Sequence, residues 1–260
     1  ANYVGTSTDT LVIAKANQII SFTTPAPVGT LVGSPAYTPS ASSTSGLSIV
    51  ITIDAASAAV CSISSGDVSF FGTGTCTINA NQAGDANYNP APQAQQAFGV
   101  GLGNQVITMT SPAPAAAVVS GPVYTLSATG GPSGNPVIFT IDASAASVCS
   151  ISSGDVSFQA VGTCVVNANQ AGSSTYAAAS QVQQSFAVGK GTPIVSWSNP
   201  ADITYGTPRS AIQLNATASV PGTFTYNPVL NSVLGTGAGQ VLSVDFIPTD
   251  SANYLNVNGT

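Results

Sequence analysis

Hydrophobic and polar residues alternate along most of this chain in short runs. The alternation is clearest over residues 49–53, 68–70 and 75–79. A period of two places successive side chains on opposite faces of a β-strand. Clusters of Gly, Pro, Asn and Ser interrupt the runs roughly every 8 to 12 residues, which is typical of all-β domains. The pattern predicts many short strands, and no stretch of ten residues has the periodicity of a helix.

Internal repeats organise these strands into units. Residues 60–70 recur as residues 148–158 (148 − 60 = 88), and residues 17–27 recur as residues 104–114 (104 − 17 = 87). The two offsets predict a one-residue insertion between positions 129 and 136. Two homologous units of about 87 residues follow, each long enough for the seven or so strands of an immunoglobulin-like sandwich.

A third, more distant unit begins near Thr192, and its ending Asp-Ser-Ala-Asn-Tyr echoes the Asp-Ala-Asn-Tyr of the first unit. The fold class that we predict is therefore all-β, with three tandem immunoglobulin-like β-sandwich modules. The third module ends before the equivalent of the last strand, while the chain opens on a segment that resembles such a strand. The predicted boundaries are 1–14 for the final strand of a preceding or neighbouring module, 15–101 for module 1, 102–189 for module 2 and 190–260 for an incomplete module 3.

A sandwich without its last strand has unpaired sheet edges and an open hydrophobic groove. We expect residues Thr10, Leu11, Val12 and Ile13 to form an inter-unit strand, and Val241, Leu242, Val244 and Phe246 to form its acceptor groove. Two explanations stay open. The chain is one period of a longer covalent array, or one subunit's strand completes its neighbour by donor-strand complementation. Both predict head-to-tail contact between copies of the chain, which makes open filaments.

Composition argues against catalysis and against several classes of partner. The chain has no His, its nine acidic residues are all Asp, and its three cations are Lys15, Lys190 and Arg209. General acid–base catalysis usually relies on His, Glu or a tuned Lys, so we expect no enzymatic activity and no cofactor. A net charge of −6 predicts no binding to nucleic acid. No run approaches the ~20 apolar residues of a membrane helix, so no membrane insertion is expected.

The four cysteines form two pairs, Cys61/Cys76 and Cys149/Cys164, each fifteen residues apart within one repeat (76 − 61 and 164 − 149). This spacing favours a disulfide between two neighbouring strands. Zinc is the competing interpretation, but a structural zinc site needs four ligands, and the chain has neither His nor a Cys-x-x-Cys motif. Disulfides persist in oxidising compartments, which predicts an extracellular or cell-surface location.

Several motifs resemble a known group of modules. The series Asn-Gln-x-Ile, Pro-Ala-Pro, Ile-Asp-Ala, Val-Cys-Ser-Ile-Ser and Gly-Thr-Cys occurs within residues 17–84 and again within 104–172. It resembles bacterial immunoglobulin-like repeats (group 3 and MBG-type modules) of large secreted or cell-surface proteins. The third unit, with Tyr-Gly-Thr-Pro at residues 205–208, resembles a related group. The resemblance implies a structural repeat of an extracellular filament or giant surface protein. The alternatives are a ligand- or glycan-binding adhesin arm and a spacer of a secreted enzyme.

Three further features carry competing interpretations. Tyrosines that follow Asn or Thr recur at the same place in each unit, at Tyr3, Tyr88, Tyr176 and Tyr254. They are either rings that stack on sugars or corner residues whose hydroxyls anchor a bend. We favour the corner role. The scattered aspartates are better explained by turns than by calcium at the module junctions, so no metal site is predicted. Trp197 is expected in the core or an interface of the third module.

Overall fold

A computed structural model describes residues 9–259, which divide into two compact units. The first unit contains residues 9–106 together with residues 130–136 and 171–179. The second contains residues 107–129, 137–170 and 180–259. Our expectations for Tyr3, for the rest of residues 1–8 and for Thr260 lie outside the described residues.

The regular structure is almost entirely β, which confirms the predicted all-β class. The first unit has seven strands: β1 (Ile20–Phe22), β2 (Ala41–Ser43), β3 (Val50–Ile53), β4 (Cys61–Ser64), β5 (Asp67–Phe70), β6 (Gly74–Asn81) and β7 (Ala94–Val100). The second-module strands of the second unit are β8 (Thr108–Met109), β9 (Ala117–Val118), β10 (Tyr124–Thr125), β11 (Ala128–Thr129), β12 (Val137–Ile141), β13 (Cys149–Ser152), β14 (Asp155–Phe158), β15 (Gly162–Gln170) and β16 (Val182–Gly189). Its third-module strands are β17 (Val195–Ser196), β18 (Thr217–Ala218), β19 (Gly222–Asn227) and β20 (Ser243–Pro248).

In the first unit, two layers of strands enclose a compact core. One layer is the antiparallel sheet β3–β6–β7, and the β4–β5 hairpin belongs to the other. The alternation on β6 turns Cys76 and Ile78 fully inward, and Phe70 and Phe98 meet edge to face with ring centroids 5.8 Å apart. The hydrophobic period seen in the sequence therefore becomes the inner face of a sandwich.

The second unit repeats this arrangement with residues of the second module. Its sheets are β12–β15–β16–β9 and β10–β14–β13, and β9 pairs with β16 in parallel. Phe158 and Phe186 meet edge to face at 5.9 Å, like their counterparts in the first unit. In the third module, β19 pairs with β20, and Phe224 and Phe246 pack with ring centroids 4.8 Å apart.

Both predicted disulfides are present, and each joins the two layers of one sandwich. Cys61 on β4 is bonded to Cys76 on β6, with Cα atoms 5.9 Å apart, and Cys149 on β13 is bonded to Cys164 on β15, at 5.8 Å. All four side chains are at most 1% exposed. The bonds therefore lie in the core and cross-link its two faces.

Removing one disulfide tests its contribution to stability. A Cys61→Ala/Cys76→Ala variant should lose about 3 kcal/mol of unfolding free energy in the first module, since the bond closes a loop of this length. The second module should be unaffected, and Cys149→Ala/Cys164→Ala is the matched converse. Scanning calorimetry of the two variants checks this, and equal loss in both modules from either change would contradict it.

Two equivalent aspartates cap short 3-10 helices that follow β3 and β12. The helices span Ala55–Ser57 and Ala143–Ala145. Hydrogen bonds from the Asn79 side chain and the Ala56 backbone N–H hold the pKa of Asp54 below its ordinary value. The side chain and backbone N–H of Ser144, and then the Asn167 side chain, lower the pKa of Asp142 in the same way.

The lowered pKa values predict an acid-sensitive contribution to stability. A carboxyl group whose pKa is lower in the folded state stabilises the fold above its unfolded pKa of about 3.9, and this stabilisation is lost as pH falls through the folded pKa. An Asp142→Ala variant should therefore melt at a lower temperature than the parent at pH 7, and the difference should shrink by about pH 2. An Asp202→Ala variant, at an exposed position, is the control. A difference independent of pH would count against this role.

Candidate functional site

The third module contains an open cleft of about 690 Å³. We define the cleft by its lining residues: 197–207 on one side, 234–240 on the other, and Arg209, Gln213 and Leu242. Trp197 is half-buried and donates its Nε1–H to the backbone oxygen of Gln213 at 2.9 Å. Tyr205 is 71% exposed. The cleft therefore combines an aromatic wall with polar backbone.

The position of the cleft matches the slot of the last strand in the other modules. In the first module β7 pairs with β6, and Gly101 beyond it pairs in parallel with Leu31. In the second, β16 lies between β15 and β9. In the third module β20 takes the place of β6 and β15, because it pairs antiparallel with β19 as β6 does with β3. Among residues 9–259, no strand fills the slot beside Leu242.

The predicted acceptor residues have different surroundings. The backbone of Phe246 already exchanges hydrogen bonds with Val257, at 2.7 and 3.0 Å. The side chains of Val244 and Phe246 are at most 1% exposed and belong to the core, whereas Val241 is 82% exposed. Leu242 lines the cleft. The structure thus restricts the predicted groove to the part of the β20 edge that precedes Phe246. The acceptor role of this part of the groove stays a prediction.

The predicted inter-unit strand lies in a segment that belongs to no sheet. Leu11, Val12 and Ile13 are 87%, 86% and 85% exposed, and neither they nor Thr10 belong to a strand. Three consecutive large apolar side chains at this exposure are costly in water. The segment has the composition of a strand whose apolar side chains are buried against a partner. That it pairs with such a partner stays a prediction.

Each module boundary has the same backbone arrangement. Gly103 donates to Thr175 O at 2.8 Å and accepts from Ala177 N at 2.9 Å. These bonds form a parallel bridge between Gly103 and Tyr176, and equivalent bridges join Ala16 to Tyr88 and Gly191 to Tyr254. The residues at the module boundaries are therefore held by isolated β-bridges.

The lysines of these boundaries bind loop carbonyls. The ammonium groups of Lys15 and Lys190 donate to the backbone oxygens of Asp85 and Ser251, at 2.7 and 2.6 Å. Each lysine thus ties the boundary to the turn that precedes the recurring tyrosine.

The recurring tyrosines pack at these boundaries. Tyr176 packs against the hydrophobic core of the first unit. A Cβ on Gly103 would lie only 2.8 Å from the Tyr176 ring, so glycine is needed there. In the second unit the Tyr254 hydroxyl is hydrogen-bonded to Ser120 Oγ at 2.8 Å, and its ring packs on the second-module core. Our preferred corner role is therefore wrong for Tyr254, because its hydroxyl binds a residue of the preceding module.

Two other tyrosines anchor the last strands, and the sequence reasoning missed them. The Tyr37 hydroxyl donates to Gln96 Oε1 at 2.8 Å, and the Tyr124 hydroxyl donates to Gln184 Oε1 at 2.7 Å. The signal was present in the repeats. The tyrosines are 87 residues apart (124 − 37) and the glutamines 88 apart (184 − 96), which are the two repeat offsets.

Arg209 is the second feature that the sequence reasoning missed. It lines the cleft but is only 1% exposed, and its Nη2 donates to the Val229 backbone oxygen at 3.3 Å. Among the described residues, its Nε and Nη1 have no hydrogen-bond partner. A buried guanidinium without acceptors is costly, since both its charge and its N–H groups are desolvated.

The described residues contain no group of three or more His, Cys, Asp or Glu side chains arranged to hold a metal ion. All four cysteines are in disulfides. No helix within residues 9–259 is long and apolar enough to cross a membrane.

Comparisons with known proteins find structural similarity only. No protein-family model matches the chain. No curated protein matches it. Mouse cadherin-23 EC22-24 aligns at 16% identity over 93% of this chain and 89% of that one, with a TM-score of 0.29. Human protocadherin-24 EC1-2 aligns at 15% identity over 60% and 88%, with a TM-score of 0.28.

The surface layer protein SbsC, domains 1-6, aligns at 13% identity over 95% of this chain and 32% of that one, with a TM-score of 0.28. Because all three TM-scores lie well below 0.5, we take the function from the chain's own residues.

The glycine requirement at the boundaries is testable. A Gly103→Ala variant places its Cβ 2.6 Å from the Val32 backbone oxygen and against the Tyr176 ring. Overpacking of this kind costs about 1–3 kcal/mol, so we expect a lower melting temperature in calorimetry. Gly99→Ala on β7 is the matched control, because its added Cβ meets nothing within 4 Å. Equal melting of the two variants would show that the boundary tolerates a side chain.

Proposed function

We propose that this chain is a structural repeat unit of an extracellular filament or a giant surface protein, without enzymatic activity. Its modules continue head to tail because a strand of the type found at residues 10–13 fills the cleft of a third module. The observation that supports this most directly is the match between the cleft and the slot of β7 and β16. Two buried disulfides support the extracellular setting.

The apolar pattern of the donor segment fits this slot. Ala16, Gly103 and Gly191 make equivalent bridges, so positions can be counted back from them. Leu11, Phe98 and Phe186 lie five residues before these three bridge residues. Ile13, Val100 and Val188 lie three residues before them. The four module-one and module-two residues are buried on the inner face of their strands. Leu11 and Ile13 would therefore point inward, and Val12, the counterpart of exposed Gly99, would point outward.

Burial of these side chains supplies a driving force. Leu11 and Ile13 are almost fully exposed, so covering each side chain in the slot would contribute up to about 1.5–3 kcal/mol. Backbone hydrogen bonds between the incoming strand and the neighbouring strand would add to this and fix the direction of the strand. Because the contact joins two different surfaces of the chain, it repeats head to tail, and it gives an open filament when the rotation between copies does not close a ring.

Three substitutions separate this proposal from a general loss of stability. Leu11→Asp and Ile13→Asp should each abolish assembly, because a carboxylate would be buried in the slot. Val12→Asp, the matched control, should leave assembly intact. Light scattering and negative-stain electron microscopy of the purified chain measure the outcome. Assembly that is equally sensitive at all three positions, or at none, would refute strand insertion.

Electrophoresis of the native material under reducing, denaturing conditions distinguishes the two kinds of continuity. Filaments that separate into single 260-residue chains would support exchange of strands between subunits. Filaments that run as one very large chain would show covalent repeats in which the same slot is filled within the polypeptide.

A ligand-binding arm of an adhesin is the second candidate. It is favoured by one observation: Trp197 and the exposed Tyr205 line the same cleft. Aromatic side chains of this kind bind sugar rings by stacking. Glycan binding that disappears with Tyr205→Ala, in chains that do not assemble, would support this function over the filament.

A further inference from the structure

We propose that Arg209 of one chain forms an ion pair with Asp9 of a second copy, and that this pair sets the register of the strand that fills the cleft. The inference deepens the proposed function and rests on it. Three observations lead to it: the equivalent of Arg209 in the other modules, the equivalent of Asp9, and the unpartnered N–H groups of the buried guanidinium.

Arg209 occupies the place of Tyr37 and Tyr124. The backbone of Tyr37 exchanges hydrogen bonds with Val68, at 3.0 and 2.8 Å. Arg209 makes a related but offset pair, because its N–H donates to Ser232 O at 3.2 Å while its oxygen accepts from a different residue, Asn231 N, at 3.0 Å. We assign Arg209 on this basis as the third-module counterpart of the tyrosine that anchors the last strand of the other modules.

Asp9 occupies the place of Gln96 and Gln184. Each of the three stands seven residues before its boundary residue: 16 − 9, 103 − 96 and 191 − 184. Gln96 and Gln184 are the acceptors of the Tyr37 and Tyr124 hydroxyls. Asp9 is exposed. For the third module, Arg209 thus provides a cation in place of the tyrosine, and Asp9 provides an anion in place of the glutamine.

The change is chemically matched. A neutral hydroxyl donates to a neutral amide oxygen in the first two modules. In the third, a guanidinium with free Nε and Nη1 would donate to a carboxylate, which offers two acceptor oxygens to a forked donor. None of the described residues accepts a hydrogen bond from these two atoms, although Asp202 also lines the cleft. A carboxylate on the incoming strand therefore removes the cost of the buried, unpaired charge.

This pair would control register as well as affinity. A slip of one residue would turn Leu11 and Ile13 away from the core and Val12 into it. The apolar residues alone distinguish these registers by packing. The ion pair adds a second penalty, since a slipped strand leaves Arg209 unpaired in a buried site.

A peptide titration tests the pair on the full chain. The acceptor is the 260-residue protein carrying Leu11→Asp and Ile13→Asp, so that it cannot act as a donor. The probe is a synthetic peptide of residues 8–16, and fluorescence of Trp197, the single tryptophan, reports occupation of the cleft. We expect the Asp9→Asn peptide to bind roughly tenfold more weakly or worse, because it leaves the buried guanidinium without its charged partner.

A specificity exchange controls for folding. An Arg209→Tyr acceptor restores the residue found in the first two modules, so it should fold and should prefer an Asp9→Gln peptide over the Asp9 peptide. An Arg209→Leu acceptor should bind the Asp9 and Asp9→Asn peptides equally. Reversal of the preference in the Arg209→Tyr acceptor supports the pair.

The outcomes separate this inference from the proposed function. If the Asp9 and Asp9→Asn peptides bind the Arg209 acceptor equally well, the ion pair is refuted while strand insertion stands. If a Leu11→Asp peptide binds as tightly as the parent peptide, or if no peptide binds, strand insertion itself is refuted and the ion pair with it.

Discussion

The last strand of each module holds the rest of the structure in place. It pairs with the long strand on one side and with a strand near the start of the module on the other. In the first module β7 closes the β3–β6–β7 sheet, covers the core with Phe98 and Val100, and meets Leu31 beyond its end. The same strand then continues into Gly103, which begins the next module's hydrogen bonding. One strand thus completes one sandwich and starts the next.

Stability in this chain depends on that arrangement because charge contributes little. Charged residues make up 5% of the sequence. Many polar contacts are instead made by amides and hydroxyls, such as the Tyr37–Gln96 pair and the Gln95–Asn79 pair. These bonds are short-ranged and directional, and they form only when the strands are in register. The buried Arg209 is the exception, and it lies in the slot that the described chain leaves open.

The sequence alone was sufficient for the parts of the fold that repeat. The period of two along β6 predicted its buried face, and the spacing of Cys61 and Cys76 predicted their bond. The roles of Tyr37, Gln96 and Arg209 depend on contacts between distant positions, and no local pattern encodes those. Tyr254 shows the same difficulty, because its place in the sequence fits a corner residue equally well until its contact with Ser120 is seen.

The placement of the disulfides also has a mechanical consequence. If the chain bears tension between its ends, the load on the first module passes along β7 and its neighbour β6, so the hydrogen bonds between them are sheared together. The Cys61–Cys76 bond locks the segment between two cysteines that are fifteen positions apart in sequence. A module that did give way would therefore release about 50 Å less chain than an uncrosslinked one of equal length. The third module has no such bond, so it would be the most extensible element of the repeat.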